Sequence, residues 1–419
     1  MSRPPDRLPS NYWRQFVATS ISNVGDGMAH AAAPLLALSL TNDARLIAGV
    51  SFAAFLPWLV LTLPAGVYID RFNRKHLMIT VNVIRAVLYS VIGFSAWQGS
   101  LTMWSLMLIL LGVGCCEVIF DMSAQAFLPA IVPPELLEKA NGRLYTAEVV
   151  SNNFIGLPLG ALTFVAAVGI PFGANAASFA LSAMLVSSIH VPSVVTTQTQ
   201  SQIVSQTFRK DLAEGFSWLW SNKLLRTLAI MLGITNMATM FGDAIFVKYA
   251  ADELGVTGTG YGFLLSLMAI GSIIGGFIGD RISKRFGVPV SIVASFGVFS
   301  TVGLVYYFLP HIWSVAIAVG VMGLASTTWN IVTVSLRQRI IPSELFGRVN
   351  SVYRLIGTGS ISIGALIGGQ IAYSQGLRAP YLASVIVGCI ALAIGGPILY
   401  RLASNYIPPE ETPAPPSIK

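Results

Sequence analysis

Charge is the first thing this chain lacks. Only 10% of its 419 residues are Asp, Glu, Lys or Arg, while 54% are hydrophobic and the mean hydropathy is +0.71. Soluble domains carry roughly 25% charged residues, so this sequence cannot clothe a water-exposed surface of its size. Cysteine is almost missing too. Cys115, Cys116 and Cys389 all lie in apolar stretches and read as small packing residues, which excludes a disulfide framework. His30, His76, His190 and His311 are scattered without ligand spacing, so neither a metal nor a cofactor is expected. No G-x-x-x-x-G-K-[ST] phosphate loop occurs, and no nucleophile–base motif. Catalytic residues, and hence an enzyme, are not expected.

Long apolar runs are what is present. They recur at about 20 residues, the length that crosses a hydrocarbon core of roughly 30 Å, and in lipid they must be helical to satisfy their own backbone. Twelve spans are read: 12–38, 46–69, 76–98, 102–127, 144–168, 172–190, 225–249, 260–280, 288–309, 312–335, 348–373 and 379–401. The expected fold is an all-α membrane protein with six spans in each half. Residues 1–190 form the first bundle, 191–223 a linker, 224–402 the second bundle and 403–419 a disordered, proline-rich tail. Residues 194–206 of the linker are rich in Thr, Ser and Gln and read as flexible. Beyond them Phe208, Leu212, Phe216 and Leu219 recur at helical spacing, which predicts an amphipathic interfacial helix. The polar, proline-rich start and the long first span argue against a cleaved signal peptide.

The net charge of +7 would suit a nucleic-acid partner, but its distribution argues otherwise. Nearly all Lys and Arg fall on the side of the chain termini. The opposite side holds Arg45, Lys248 and Arg378, and Arg85 alone lies deep within a span. The positive-inside rule then predicts both termini in the cytoplasm, with no nucleic acid bound.

One inner-side segment occurs twice, about half the chain apart. Gly66, Asp70, Arg71, Arg74 and Lys75 match Gly276, Asp280, Arg281, Lys284 and Arg285 in the pattern G-x-x-x-D-R-x-x-[KR]-[KR]. Pro133, Glu135, Leu136 and Asn141 match Pro342, Glu344, Leu345 and Asn350 at nearly the same offset. Such repeats indicate two similar halves. The glycines are expected to admit a neighbouring helix. The carboxylates are expected to cap a helix of the other half, and the cations to anchor the loop and pair with those carboxylates. Together they form a latch that a rocking motion breaks.

This doubled loop, placed between the second and third span of each half, resembles the signature of the major facilitator superfamily, and the resemblance covers residues 11–402. Ile21 to Met28, Ala124 to Ala130 and Ala140-Asn141-Gly142 are similar to its drug and siderophore exporter branch, which includes macrolide-efflux and enterobactin-exporter relatives. Ile155-Gly156-Leu157-Pro158-Leu159-Gly160 resembles a loose form of the fifth-helix motif linked to antiporters. The resemblance implies two pseudo-symmetric six-helix bundles around a central cavity, alternating access and no ATP hydrolysis. The sequence departs from the family twice. The fourth span lacks an arginine, and the loop glycine is replaced by Asn73 and Ser283. Asn tolerates a left-handed backbone better, so the first loop is expected to keep the family turn.

Ionisable groups inside spans are costly and point to function. Asp26, Glu117, Asp121 and Asp243 qualify, with Glu148 nearer the surface. Arg85 and Glu117 lie roughly 13 and 15 Å from the inner ends of consecutive spans, so they are expected to pair. That pair reads either as proton coupling or as a structural ion pair. Asp121 is expected either to join the latch through Arg74 or to face the cavity. Glu148 is expected to pair with Arg143 or the second latch. Asp26 reads as a cavity residue, with a hydrogen bond inside a helix contact as the alternative, and Asp243 is open between the two roles. Phe52, Phe55, Trp58, Phe120 and Trp329 read as cavity lining or ordinary packing. The expectation is a monomeric, multi-pass protein of the bacterial inner membrane that exports amphipathic small molecules against protons. A siderophore exporter and a non-transporting sensor or accessory protein are the alternatives.

Overall fold

A computed structural model describes residues 7–62, 64, 69, 72–133, 136–190, 213–342 and 345–405. Gly66, Asp70, Arg71, Phe208 and Leu212, with the tail from 406, lie outside these residues, so the first latch and most of the linker are not described.

Among the described residues there are twelve long helical rods, with shorter helices beside them, and no strand. The first bundle comprises α1 (Ser10–Leu40), α2 (Ala44–Val60), α3 (Arg74–Trp97), α4 (Met103–Phe127), α5 and α6 (Ile170–Ser187). Helix α5 is composite: Leu137–Val149, a π-helical stretch Val150–Gly156, then Leu157–Ala166. The second bundle comprises α7 (Lys223–Asp243), α8 (Thr259–Phe286), α9, α10 (Ile312–Ile340), α11 (Phe346–Gln375) and α12 (Ala379–Ser404). The seventh expected span breaks after Asp243 and resumes as a short helix Phe246–Leu254. The ninth, α9, bends at Val302, between Val288–Thr301 and Gly303–Phe308. Helices α3 to α12 are each long and apolar enough to cross a membrane. Helix α2 is shorter, and α1 is long but carries Asn23, Asp26 and His30.

The packing repeats by halves. Helix α1 packs on α5 and α6, α3 on α4 and α6, and α2 on α4. Correspondingly α7 packs on α11 and α12, α9 on α10 and α12, and α8 on α10. Between halves α2 meets α11 and α5 meets α8. Lipid supplies no hydrophobic force to join helices, so close backbone approach carries the load. On α8 that approach belongs to Gly271, Gly275 and Gly279, which face Gly320, Leu324 and Thr328 of α10; a Cβ on Gly275 would lie 2.6 Å from the Leu324 carbonyl oxygen. Gly276 is not among them. A Cβ there would meet nothing nearer than Thr327 at 4.0 Å, which corrects the role expected of the motif glycine. One residue along a helix is about 100° around it, enough to move the glycine off the contact.

The side where α1 begins and α12 ends is called inner here, and the other outer. At the outer end one hydrophobic core draws on both bundles, joining Ala31, Leu36 and Ile47 to Tyr249, Leu264 and Tyr381. At the inner end the bundles keep separate cores, one around Tyr12, Met78 and Phe120, the other around Leu225, Phe296 and Trp329. The outer seam is tight: Ala161 of α5 faces Gly262 of α8, and Ala48 of α2 faces Gly369 of α11. Asp43 caps α2 and pairs with Arg45 at 2.7 Å, and the Arg45 guanidinium lies 3.6 Å from the Tyr373 ring of α11. Hydrogen bonds from Arg45 hold the Asp43 carboxyl below the usual carboxylate range.

Asn73 is extended (φ −67°, ψ 111°) and caps α3 through the His76 N–H. This corrects the expected left-handed turn: the residue serves as a cap instead. The helix over 213–221 docks on the second bundle, with Leu219 buried in its inner core and Glu214 2.7 Å from Arg348. Phe216 and Trp220 stack on its exposed face.

Two outcomes are expected. Gly275→Leu overpacks the α8–α10 contact and should destabilise by about 1–3 kcal/mol, whereas Gly276→Ala should stay within about 0.5 kcal/mol; thermal unfolding in detergent distinguishes them. Asp43, with its lowered folded-state pKa, contributes stability above the unfolded carboxylate value of about 3.9 and loses it as pH falls through the folded one. The difference in unfolding midpoint between the parent and Asp43→Asn should therefore be present at neutral pH and vanish in acid.

Candidate functional site: acids of one half against arginines of the other

Arg85 organises the first bundle. It projects from α3 into the interior with a side chain only 3% exposed, and its Nη2 lies 3.7 Å from Glu117 Oε2 on α4. The guanidinium packs 4.5 Å from the Phe179 ring and 5.7 Å from Phe120, while its Nε is buried without a hydrogen-bond partner among the described residues. Asp26 on α1 lies within electrostatic reach of Arg85, His30 and Asp121. One buried cation thus serves two nearby carboxylates, Asp26 and Glu117. Its neighbourhood is set by close helices: Gly25 faces Asn175 and Ser178 of α6, and a Cβ on Gly156 of α5 would lie 2.5 Å from the Val24 carbonyl oxygen of α1. Gly156 and Gly160, from the segment resembling the antiporter motif, therefore hold α5 against the stretch of α1 that carries Asp26.

The inner half of the cleft is bridged by side chains. Asp121 of α4 pairs with Arg354 of α11 at 3.3 Å, each about one-third exposed, and the Arg354 guanidinium lies 5.0 Å from the Trp58 ring of α2. Glu148 of α5 is in electrostatic reach of Asp121, Arg354 and Asp26. Arg337 of α10 stacks at 4.2 Å on Tyr353, hydrogen-bonds Asn350 and lies near Tyr145 of α5. Acids from the first half thus face arginines from the second.

Several expectations are corrected. Asp121 pairs with Arg354 rather than Arg74; Arg74 donates to the Ala126 carbonyl at the end of α4, 3.1 Å away. Arg143 lies 5.5 Å from the Trp13 ring, while Glu148 is within electrostatic reach of Asp121 and Arg354. Asp280 pairs with Lys284 at 2.7 Å, both strongly exposed, which is the expected pairing with the motif's own cation; the expected cap on a helix of the other half is not what this pair makes. Arg281 is exposed beside it. Asp243 ends α7 at the outer end, near Tyr261, Tyr306 and Tyr381 and apart from the Arg85 cluster. Trp329 is packing, 4.4 Å from Phe296, and Phe120 and Trp58 carry arginines. Arg354 and His30 were not among the expected site residues. Arg354 sits roughly two turns into α11, a depth that the sequence shows, and His30 follows Asp26 by one turn.

Removing Arg85 leaves two carboxylates uncompensated. Arg85→Met should cost about 3–5 kcal/mol, and adding Glu117→Gln should recover part of that loss in thermal unfolding. Equal stability of the single and double variants would remove the pair as a unit.

A family model described as transmembrane secretion effector matches residues 10–414. Macrolide efflux protein A of Streptococcus pyogenes is 25% identical over 361 residues, covering 84% of this chain and 87% of its own. The multidrug efflux pump Tap of Mycobacterium tuberculosis is 25% identical over 401 residues, covering 92% and 93%. Among solved structures, the nucleoside transporter NupG superposes with a TM-score of 0.70 at 12% identity, covering 95% of this chain and all of that one. With the doubled six-helix packing, these matches place the chain in the transmembrane secretion effector family of major facilitator transporters, as a multi-pass membrane protein and not an enzyme.

Proposed function

We propose that the protein exports amphipathic small molecules across the bacterial inner membrane, with both termini cytoplasmic, in exchange for protons. The observation that carries this reading is the split of charge across the cleft: Asp26, Glu117, Asp121 and Glu148 on one half, Arg337 and Arg354 on the other. The relatives named as macrolide and multidrug efflux proteins support the direction and the cargo class.

The two ends of the cleft are closed unequally, which suits loading from within. The outer end is sealed by a core shared between bundles, and among the described residues the Asp121–Arg354 ion pair bridges the inner end. A partly exposed ion pair is worth about 0–1 kcal/mol, so it yields to a cargo that competes for Arg354 or Asp121. Asp26 and Glu117 share Arg85 and can exchange a proton when the bundles rock. Cargo and proton binding alternate, each favouring one facing state.

Reconstitution in liposomes tests this. An imposed proton gradient should drive macrolide or dye movement, and substrate gradients should move protons. The double variant Asp26→Asn, Glu117→Gln should lose at least tenfold of the coupled flux while Gly276→Ala keeps it. Flux indifferent to the proton gradient, or unchanged in the double variant, would overturn the coupling. A resistance profile of an overexpressing strain, with siderophores in the panel, reads the cargo class.

A further inference from the structure

A second recess lies away from the cleft. Between the inner ends of α1 and α5 is a groove of about 760 Å³, lined by Trp13, Phe16, Lys139, Arg143, Ala147 and Val150 among others. By helical spacing these α5 residues lie on the face opposite Glu148, which is within electrostatic reach of Asp121 and Arg354. The groove therefore lies on the side of α5 away from the Asp121–Arg354 bridge.

Its chemistry is graded along its length. Lys139 and Arg143 are four residues apart and so share one face of α5, with Cβ atoms about 6 Å apart. Both are exposed, and the lining holds no carboxylate among the described residues. The Arg143 guanidinium lies 5.5 Å from the Trp13 ring. Deeper in, the lining becomes Phe16, Ala147 and Val150. A Trp–Arg pair marks the headgroup level of a bilayer. The second half shows the same pairing at its own inner edge, where Arg226 lies 5.8 Å from Trp220. Cations at headgroup depth above an apolar slot match one occupant, a lipid with an anionic head.

We propose that this groove is a binding site for an anionic phospholipid of the inner leaflet, with its phosphate held by Lys139 and Arg143 and an acyl chain along Phe16, Ala147 and Val150. Basic pockets on the cytoplasmic side of helix bundles recognise such heads, and each cation near the surface contributes several-fold in affinity. Val150 belongs both to the groove and to the first turn of the π-helical stretch. An acyl chain there packs against α5 just inside the Gly156 contact with α1, so occupancy steadies the helix that borders the Asp26 region. The site is independent of what the cleft carries.

Native mass spectrometry of the full chain, mixed with phosphatidylglycerol and phosphatidylcholine in equal amounts, tests the site. The parent should retain phosphatidylglycerol preferentially. Lys139→Gln with Arg143→Gln should weaken that preference roughly twentyfold, while Lys223→Gln with Arg401→Gln, which removes as much charge elsewhere on the inner edge, should keep it. Val150→Trp fills the slot without touching a charge and should also release the lipid, a result that headgroup attraction alone would not give. Equal retention of the two lipids by the parent overturns the proposal. So does an equal loss in both charge-removal variants, or retention undiminished by Val150→Trp.

Discussion

In a bilayer, helices gain nothing by hiding apolar surface from each other, since the lipid is as apolar as they are. Adhesion must come from backbones brought so close that dispersion and polar contacts add up. The structure rests on that constraint. Gly271, Gly275 and Gly279 join α8 to α10, Gly156 and Gly160 join α5 to α1, and Gly262 and Gly369 join the two bundles at the outer end. Where such contacts are dense the molecule is sealed; at the inner end, between bundles, longer side chains take over.

This division sets where charge can reside. Arg85 is tolerable in the interior because Glu117 and Asp26 lie near it and Phe179 packs on its face. Arg354 of α11 reaches across the inner cleft to Asp121 of α4. An ion pair in such a place holds weakly and lets go reversibly, whereas a glycine contact can only be kept or lost as a whole. The two ends therefore differ in kind.

Much of this was legible in the sequence, for reasons that are physical. The span count follows from run length, a direct consequence of the bilayer. The Arg85–Glu117 pairing follows from depth, because neighbouring spans must traverse the same thickness. Asp121's partner was not legible, since Arg354 lies in the other half and nothing local relates them. Gly276 failed on register: the repeat locates a segment, but a helix face is decided within a fraction of a turn. The π-helical stretch in α5 was equally hidden, because its residues Val150 to Gly156 carry no mark that separates them from an ordinary helix.

That stretch gives α5 two rotational settings on one axis. Its inner part presents Glu148 to the cleft and Lys139 and Arg143 to the opposite side, while its outer part is fixed by Gly160 against Met28 and by Ala161 against Gly262. A wider turn between them breaks the rigid phase relation that an unbroken α-helix would impose. The angle at which the inner end faces its neighbours is thereby set apart from that of the anchored outer end, so the stretch acts as a splice between two helix phases.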